Sequence, residues 1–181
     1  MSDDADTVTS LRAIAHPLRL RILSLLTGAE LSAAEVAREL DVTHANASYH
    51  LRVLAEAGEV VVAGEEKIRG GVAKRYRHPW QEERLQRTPS GKSTRDRELY
   101  LRAIGEELVR RGRARKPGTR SHLTDAELWV TPAVWQQAEA LVEQASHLVH
   151  AEARPPRTPG TVHVNMTAAT FQMADAERTD A

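Results

Sequence analysis

The chain has 181 residues, 41 % of them hydrophobic, and 25 basic side chains balance 25 acidic ones, which is enough apolar material for one or two compact units and excludes a uniformly basic, histone-like binder. It contains no cysteine, which excludes disulfides, cysteine-based zinc fingers, iron–sulfur clusters and thiol catalysis. No apolar run approaches the roughly 18 residues of a membrane span, and the acidic, polar first ten residues do not resemble a secretion signal, so a cytoplasmic location is expected.

In chain order, Leu11, Ile14, Leu18, Ile22, Leu25 and Leu26 recur at helical spacing and predict a first helix that Gly28 ends. Ser32-Ala33-Ala34-Glu35 is a capping box for a short second helix with Val36, Ala37 and Leu40 on its apolar face. A turn at Asp41-Val42 follows. Thr43 then caps a third helix, in which Ala47, Leu51 and Leu54 share a face, and Gly58 stops it. Two β-prone runs, 60–62 and 72–76, flank a glycine-rich stretch at 64–71 and predict a hairpin with its loop there. Residues 81–93, with Thr88-Pro89-Ser90-Gly91, predict a linker. A helix is predicted over 93–111, with Leu99, Ala103, Ile104 and Leu108 inward. A short strand is expected at 126–130 and an alternating one at 161–166. Between them Thr131-Pro132 opens a helix carrying Val134, Ala138, Leu141, Ala145 and Leu148 at a 4-3-4-3 spacing.

Charge is uneven along this order. Residues 1–80 hold ten basic and eleven acidic side chains, 84–120 twelve and four, and 121–181 three and eight. A neutral total conceals a basic middle.

Helix, short helix, tight turn, helix and hairpin is the order of a winged helix-turn-helix. The major groove of B-DNA, about 12 Å wide, admits one helix, and a flanking hairpin can set cations on neighbouring phosphates. The motifs carry a resemblance as well. Ala15-His16-Pro17-Leu18-Arg19-Leu20-Arg21-Ile22-Leu23, then Ala47-Ser48-Tyr49-His50-Leu51-Arg52-Val53-Leu54 with Glu56-Ala57-Gly58, then Val72-Ala73-Lys74-Arg75-Tyr76-Arg77, resemble the ArsR-type winged-helix regulators of bacteria over residues 11–79. The resemblance implies a homodimeric binder of double-stranded DNA with a near-palindromic operator, in most cases a repressor relieved by a small-molecule effector. By position it implies that Thr43, His44, Ala45, Ser48 and Tyr49 face the groove, with His50 and Arg52 nearby on base edges or phosphate. Helical angles agree in part: with Leu51 and Leu54 inward, Ala45, Tyr49 and Arg52 point outward and Ser48 flanks them.

The wing cations Lys67, Arg69, Lys74 and Arg75 are read as phosphate contacts, although charge on an edge strand also blocks strand addition. Tyr76 is expected to buttress the core. The arginines between 110 and 120 read as a solvated helix end more readily than as a further DNA footprint. The expected fold is mainly α with a small β component: a winged helix-turn-helix over 8–80, a linker over 81–93, and a small α/β extension over 94–175 for dimerisation or effector sensing.

Other chemistry finds little support. Ser90-Gly91-Lys92-Ser93 has the tail of a phosphate loop, but Gln86 stands where its first glycine belongs. His147 and His150 lie one helical turn apart, with His163 downstream, so a zinc-responsive sensor is the alternative, as is a winged helix that binds protein instead of DNA. No cofactor, no metal and no catalytic residue is assigned, and an enzyme is not expected.

Overall fold

The computed structural model describes residues 11–68, 71–80 and 94–174. The fold is mainly helical with a small three-stranded antiparallel sheet. After a helical turn at 11–14 come α1 (Pro17–Thr27), β1 (Leu31–Ser32), α2 (Ala33–Leu40), α3 (His44–Glu56), β2 (Val61–Ile68), β3 (Gly71–Arg77), α4 (Thr94–Arg113) and α5 (Pro132–Ala151).

The expected first helix breaks in two at Ala15-His16. Pro17 forbids helical backbone in the residue before it, and His16 accordingly sits at φ −152°, ψ 127°. His16 turns this break into a cap: its Nδ1 accepts from the Leu18 amide at 3.1 Å. The capping box of α2 forms as expected, with the Ser32 amide donating to Glu35 Oε2 at 2.8 Å and the Glu35 amide donating to Ser32 Oγ. Asp41 takes a left-handed conformation (φ 54°) and turns the chain into Thr43, whose hydroxyl accepts from the Asn46 amide. Gly58, at φ 75°, ends the α3 region as a residue without a Cβ can.

The core is made where α1, α2 and α3 meet. Ile22, Val36, Ala47, Leu51 and Leu54 are completely buried there, with Leu26 and Val60 nearly so. The sheet order is β1-β3-β2, with Leu31 opposite Tyr76 and Ser32 opposite Arg75. Tyr76 packs on the core as expected. The hairpin is longer than expected: β2 continues to Ile68, and Gly64 lies at a register shift inside the strand, not in a loop. The tip, including Arg69, is outside the described residues, as is the expected linker over 81–93.

The extension departs from the expectation in two respects. Residues 126–130 and 161–166 form no strand in the single chain. Moreover, α4 is rotated from its expected orientation. Ala103 is buried as expected and Ile104 half-buried, but the rest of the inward face is Asp96, Tyr100 and Glu107, while Leu99 and Leu108 are exposed. A fixed charge accounts for the turn at the start of the helix: Arg12, from the segment before α1, pairs with Asp96 at 3.4 Å, whereas Glu107 pairs along the helix with Arg110 and Arg111.

The extension touches the N-terminal unit at several points. The Trp80 ring lies against the imidazoles of His147 and His150, with centroids 5.6 and 5.4 Å apart. Arg157 pairs with Glu39 at 2.8 Å. A Cβ on Gly28 would come within 2.8 Å of the Arg154 carbonyl, so the glycine stop of α1 also allows a close approach of the two segments.

Candidate nucleic-acid interface

The third helix presents two distinct sides. Ala47, Leu51 and Leu54 enter the core, whereas Thr43, His44, Ala45, Asn46, Tyr49 and Arg52 are exposed at its N-terminus and along its outer face. Tyr49 is 55 % exposed although its ring is large and apolar. Ser48 is half-buried at the margin. Arg52 forms no ion pair among the described residues. The first turn contains no acidic residue, so the positive end of the helix dipole is unopposed there. The geometry is that of a helix able to enter a groove N-terminus first.

Two of the expected contact residues, His50 and Arg75, make contacts within the fold. His50 is 7 % exposed. Its ring lies 4.8 Å from His16 and 5.1 Å from Tyr49, behind the open face. Burial is the main cause that holds its pKa below the ordinary value, with the positive surroundings of His16 and Arg19 adding to it. The imidazole, expected on base edges or phosphate, thus lies behind the open face, between α3 and the start of α1. Its spacing to Ala47, Leu51 and Leu54 places it on the same buried arc, and angle counting could have found this.

Arg75 is likewise engaged within the chain. Its guanidinium donates to Glu35 at 3.2 Å and to Glu66 at 2.9 Å, and reaches the carbonyl of Glu30. It joins the capping box of α2 to both strands of the wing, so its charge is already matched. The Glu35 carboxyl is held below its usual pKa chiefly by the Ser32 amide, with the Ser32 hydroxyl and Arg75 contributing. The wing cations that remain open are Lys67 and Lys74. Both are exposed and unpaired among the described residues.

Asn46 was missed by the sequence reading. It is exposed in the first turn of α3, three residues before Tyr49, with an amide able to donate and accept at once on an adenine edge. The signal was its position just after the Thr43 cap, where the helix end points outward.

The histidines of the extension do not converge. His150 Nδ1 lies 2.7 Å from the Ser146 carbonyl, and both His147 and His150 face Trp80. Among the described residues no three side chains of metal-ligating type are grouped together. Nor, among those residues, is any helix long and apolar enough to cross a membrane.

A family model described as a helix-turn-helix domain matches residues 14–61, the span from just before α1 to the start of β2. No curated protein matches the chain at a significant level. The matched span contains the whole open face of α3 and its supporting helices. The chain thus carries a helix-turn-helix domain, which points to a DNA-binding regulator.

Proposed function

We propose that the protein is a transcriptional regulator that binds double-stranded DNA as a homodimer, with α3 in the major groove and the β2–β3 wing on the adjacent backbone. The observation that carries this reading is the outer face of α3: Ala45, Tyr49 and Arg52 stand open on a helix whose other side is the core. In this reading Asn46 and Tyr49 meet base edges, while Thr43, His44 and Ser48 approach the groove at the helix start. Arg52, Lys67 and Lys74 neutralise phosphate, as does Arg69, which lies outside the described residues. His50 and Arg75 hold the reader and the wing in place. The unit over 8–80 reads DNA, and the part over 94–175 pairs copies and senses an effector. The resemblance of residues 11–79 to ArsR-type regulators favours a cytoplasmic repressor relieved by a small molecule.

Selection of bound duplexes from a random library, run at two salt concentrations, tests the reading. The expected product is a near-palindrome with half-sites about one helical turn apart. Binding should weaken steeply with salt, because each neutralised phosphate adds about 0.9 to the slope of log affinity against log salt. A library from which no duplex is enriched at either salt refutes it.

A further inference from the structure

Both helices of the extension turn their apolar stripes away from the chain that carries them. On α4 the inward face is charged, with Asp96 and Glu107 buried and Tyr100 and Ala103 between them. The outward stripe is Leu101, Gly105, Leu108 and Gly112, and space is open beyond each glycine. On α5 the half-buried side is Trp135, Val142, Ser146 and His150. Its 4-3-4-3 seam lies in solvent, with Val134 at 52 %, Leu141 at 58 % and Leu148 at 64 % exposure. The two helices do not pack along one another within the chain.

We propose that these stripes pair between two copies of this chain, the α5 seam of one copy seating on the α4 stripe of the other. Three features on the page select this occupant. The first is shape: leucines alternate with glycines on α4 and with alanines on α5, so large residues of each helix meet small ones of the other, as knobs meet holes. The second is charge. α4 carries six arginines against four acids and is net positive, whereas α5 carries Glu139 and Glu143 with no lysine or arginine and is net negative. An α5-on-α5 contact would bring like charges together, and α5 on α4 brings opposite ones. The third is area. Val134, Leu141 and Leu148 on α5, Leu101 and Leu108 on α4, and Trp129 and Val162 in the segments flanking α5 are each 40 % exposed or more. Monomers seldom expose patches above a few hundred Å², and a stable interface needs about 1,600 Å² in total. Two equivalent α4–α5 contacts about a two-fold axis would cover both stripes on each copy and leave no open end.

The inference deepens the dimer of the proposed function but is measured without DNA, so the two fail separately. In sedimentation equilibrium at tens of micromolar, the full chain should have twice its 20.1 kDa mass. Leu101→Glu and Leu141→Glu should each raise the dimer dissociation constant by about a hundredfold or more. Both positions are exposed in the single chain, so circular dichroism should show each variant folded. The absence of native cysteine allows a second readout. Oxidising a mixture of Leu108→Cys and Leu141→Cys chains should give a covalent dimer containing one of each. A wild-type monomer would overturn the proposal and assign the stripes to a different protein. Rapid cross-linking of Leu141→Cys chains alone would overturn the pairing by showing α5 on α5. A dimer that binds no duplex leaves this interface standing and removes only the DNA reading.

Discussion

Arg52 and Arg75 are the same residue type on the same presumptive DNA-facing side, and the structure assigns them opposite consequences. Arg52→Ala removes an exposed guanidinium that has no ion pair among the described residues, so thermal stability should change by less than about 0.5 kcal/mol. Its effect should fall on DNA. If each copy loses one phosphate contact, a dimer loses two, and the log–log salt slope should fall by about 1.8. If Arg52 instead reads a base edge, affinity should drop by about 1–3 kcal/mol per half-site with little change in slope. Arg75→Ala breaks contacts to Glu35 and Glu66 and to the Glu30 carbonyl, and leaves the half-buried Glu35 with only the Ser32 groups. Partly screened ion pairs contribute about 0.2–1 kcal/mol each, so the loss should be near 1–2 kcal/mol. At about 4–8 °C per kcal/mol for a domain of this size, the melting temperature should fall by roughly 5–15 °C. Fluorescence anisotropy on a selected duplex across a salt series, beside thermal melts of each variant, separates the two. An Arg52→Ala variant with wild-type affinity and slope, or an Arg75→Ala variant with wild-type melting and a reduced slope, would refute the assignment.

Other outcomes follow from the core, the cap and the histidine pair. Leu51→Ala empties a fully buried site between α3 and its supports and should cost about 2–5 kcal/mol in chemical denaturation. Ser32→Ala removes the hydroxyl of the capping box and should cost about 1 kcal/mol, while duplex affinity at 25 °C stays at the wild-type value. His16 and His50 both hold protons less readily in the fold than in the unfolded chain, burial being the larger cause for each. Below pH about 6.5 the unfolded chain therefore takes up protons that the fold refuses, and stability should fall as pH drops toward the lowered folded values. Melting temperatures from pH 7.5 to 5 should show this loss, and a His50→Leu chain should show less of it; equal losses would remove the pair as its source.

Local signals carried the N-terminal unit. Capping at Ser32 and Thr43, the helical spacing of Ala47, Leu51 and Leu54, and the β-branched runs around the wing each depend on neighbours within a few residues, so they are legible without coordinates. The break before Pro17 was also local and follows from the steric bar on the residue preceding proline. The roles of single charged and titratable side chains were less legible. Arg75 looks like any wing cation until Glu35, forty residues earlier, is brought beside it.

By itself the sequence determined which segments become helices and where the chain turns, because those choices rest on backbone caps and on a repeat of apolar residues. It also marked Tyr49 and Arg52 as pointing away from Leu51 and Leu54. Only the tertiary structure decided which side of α4 faces the body. Apolar periodicity counts leucines, and it predicted Leu99 and Leu108 inward beside Ala103; Asp96, paired with Arg12 from the segment before α1, is buried instead, and both leucines are exposed. A charge is buried where its partner can reach it, and the partner of Asp96 lies in a segment distant in the chain.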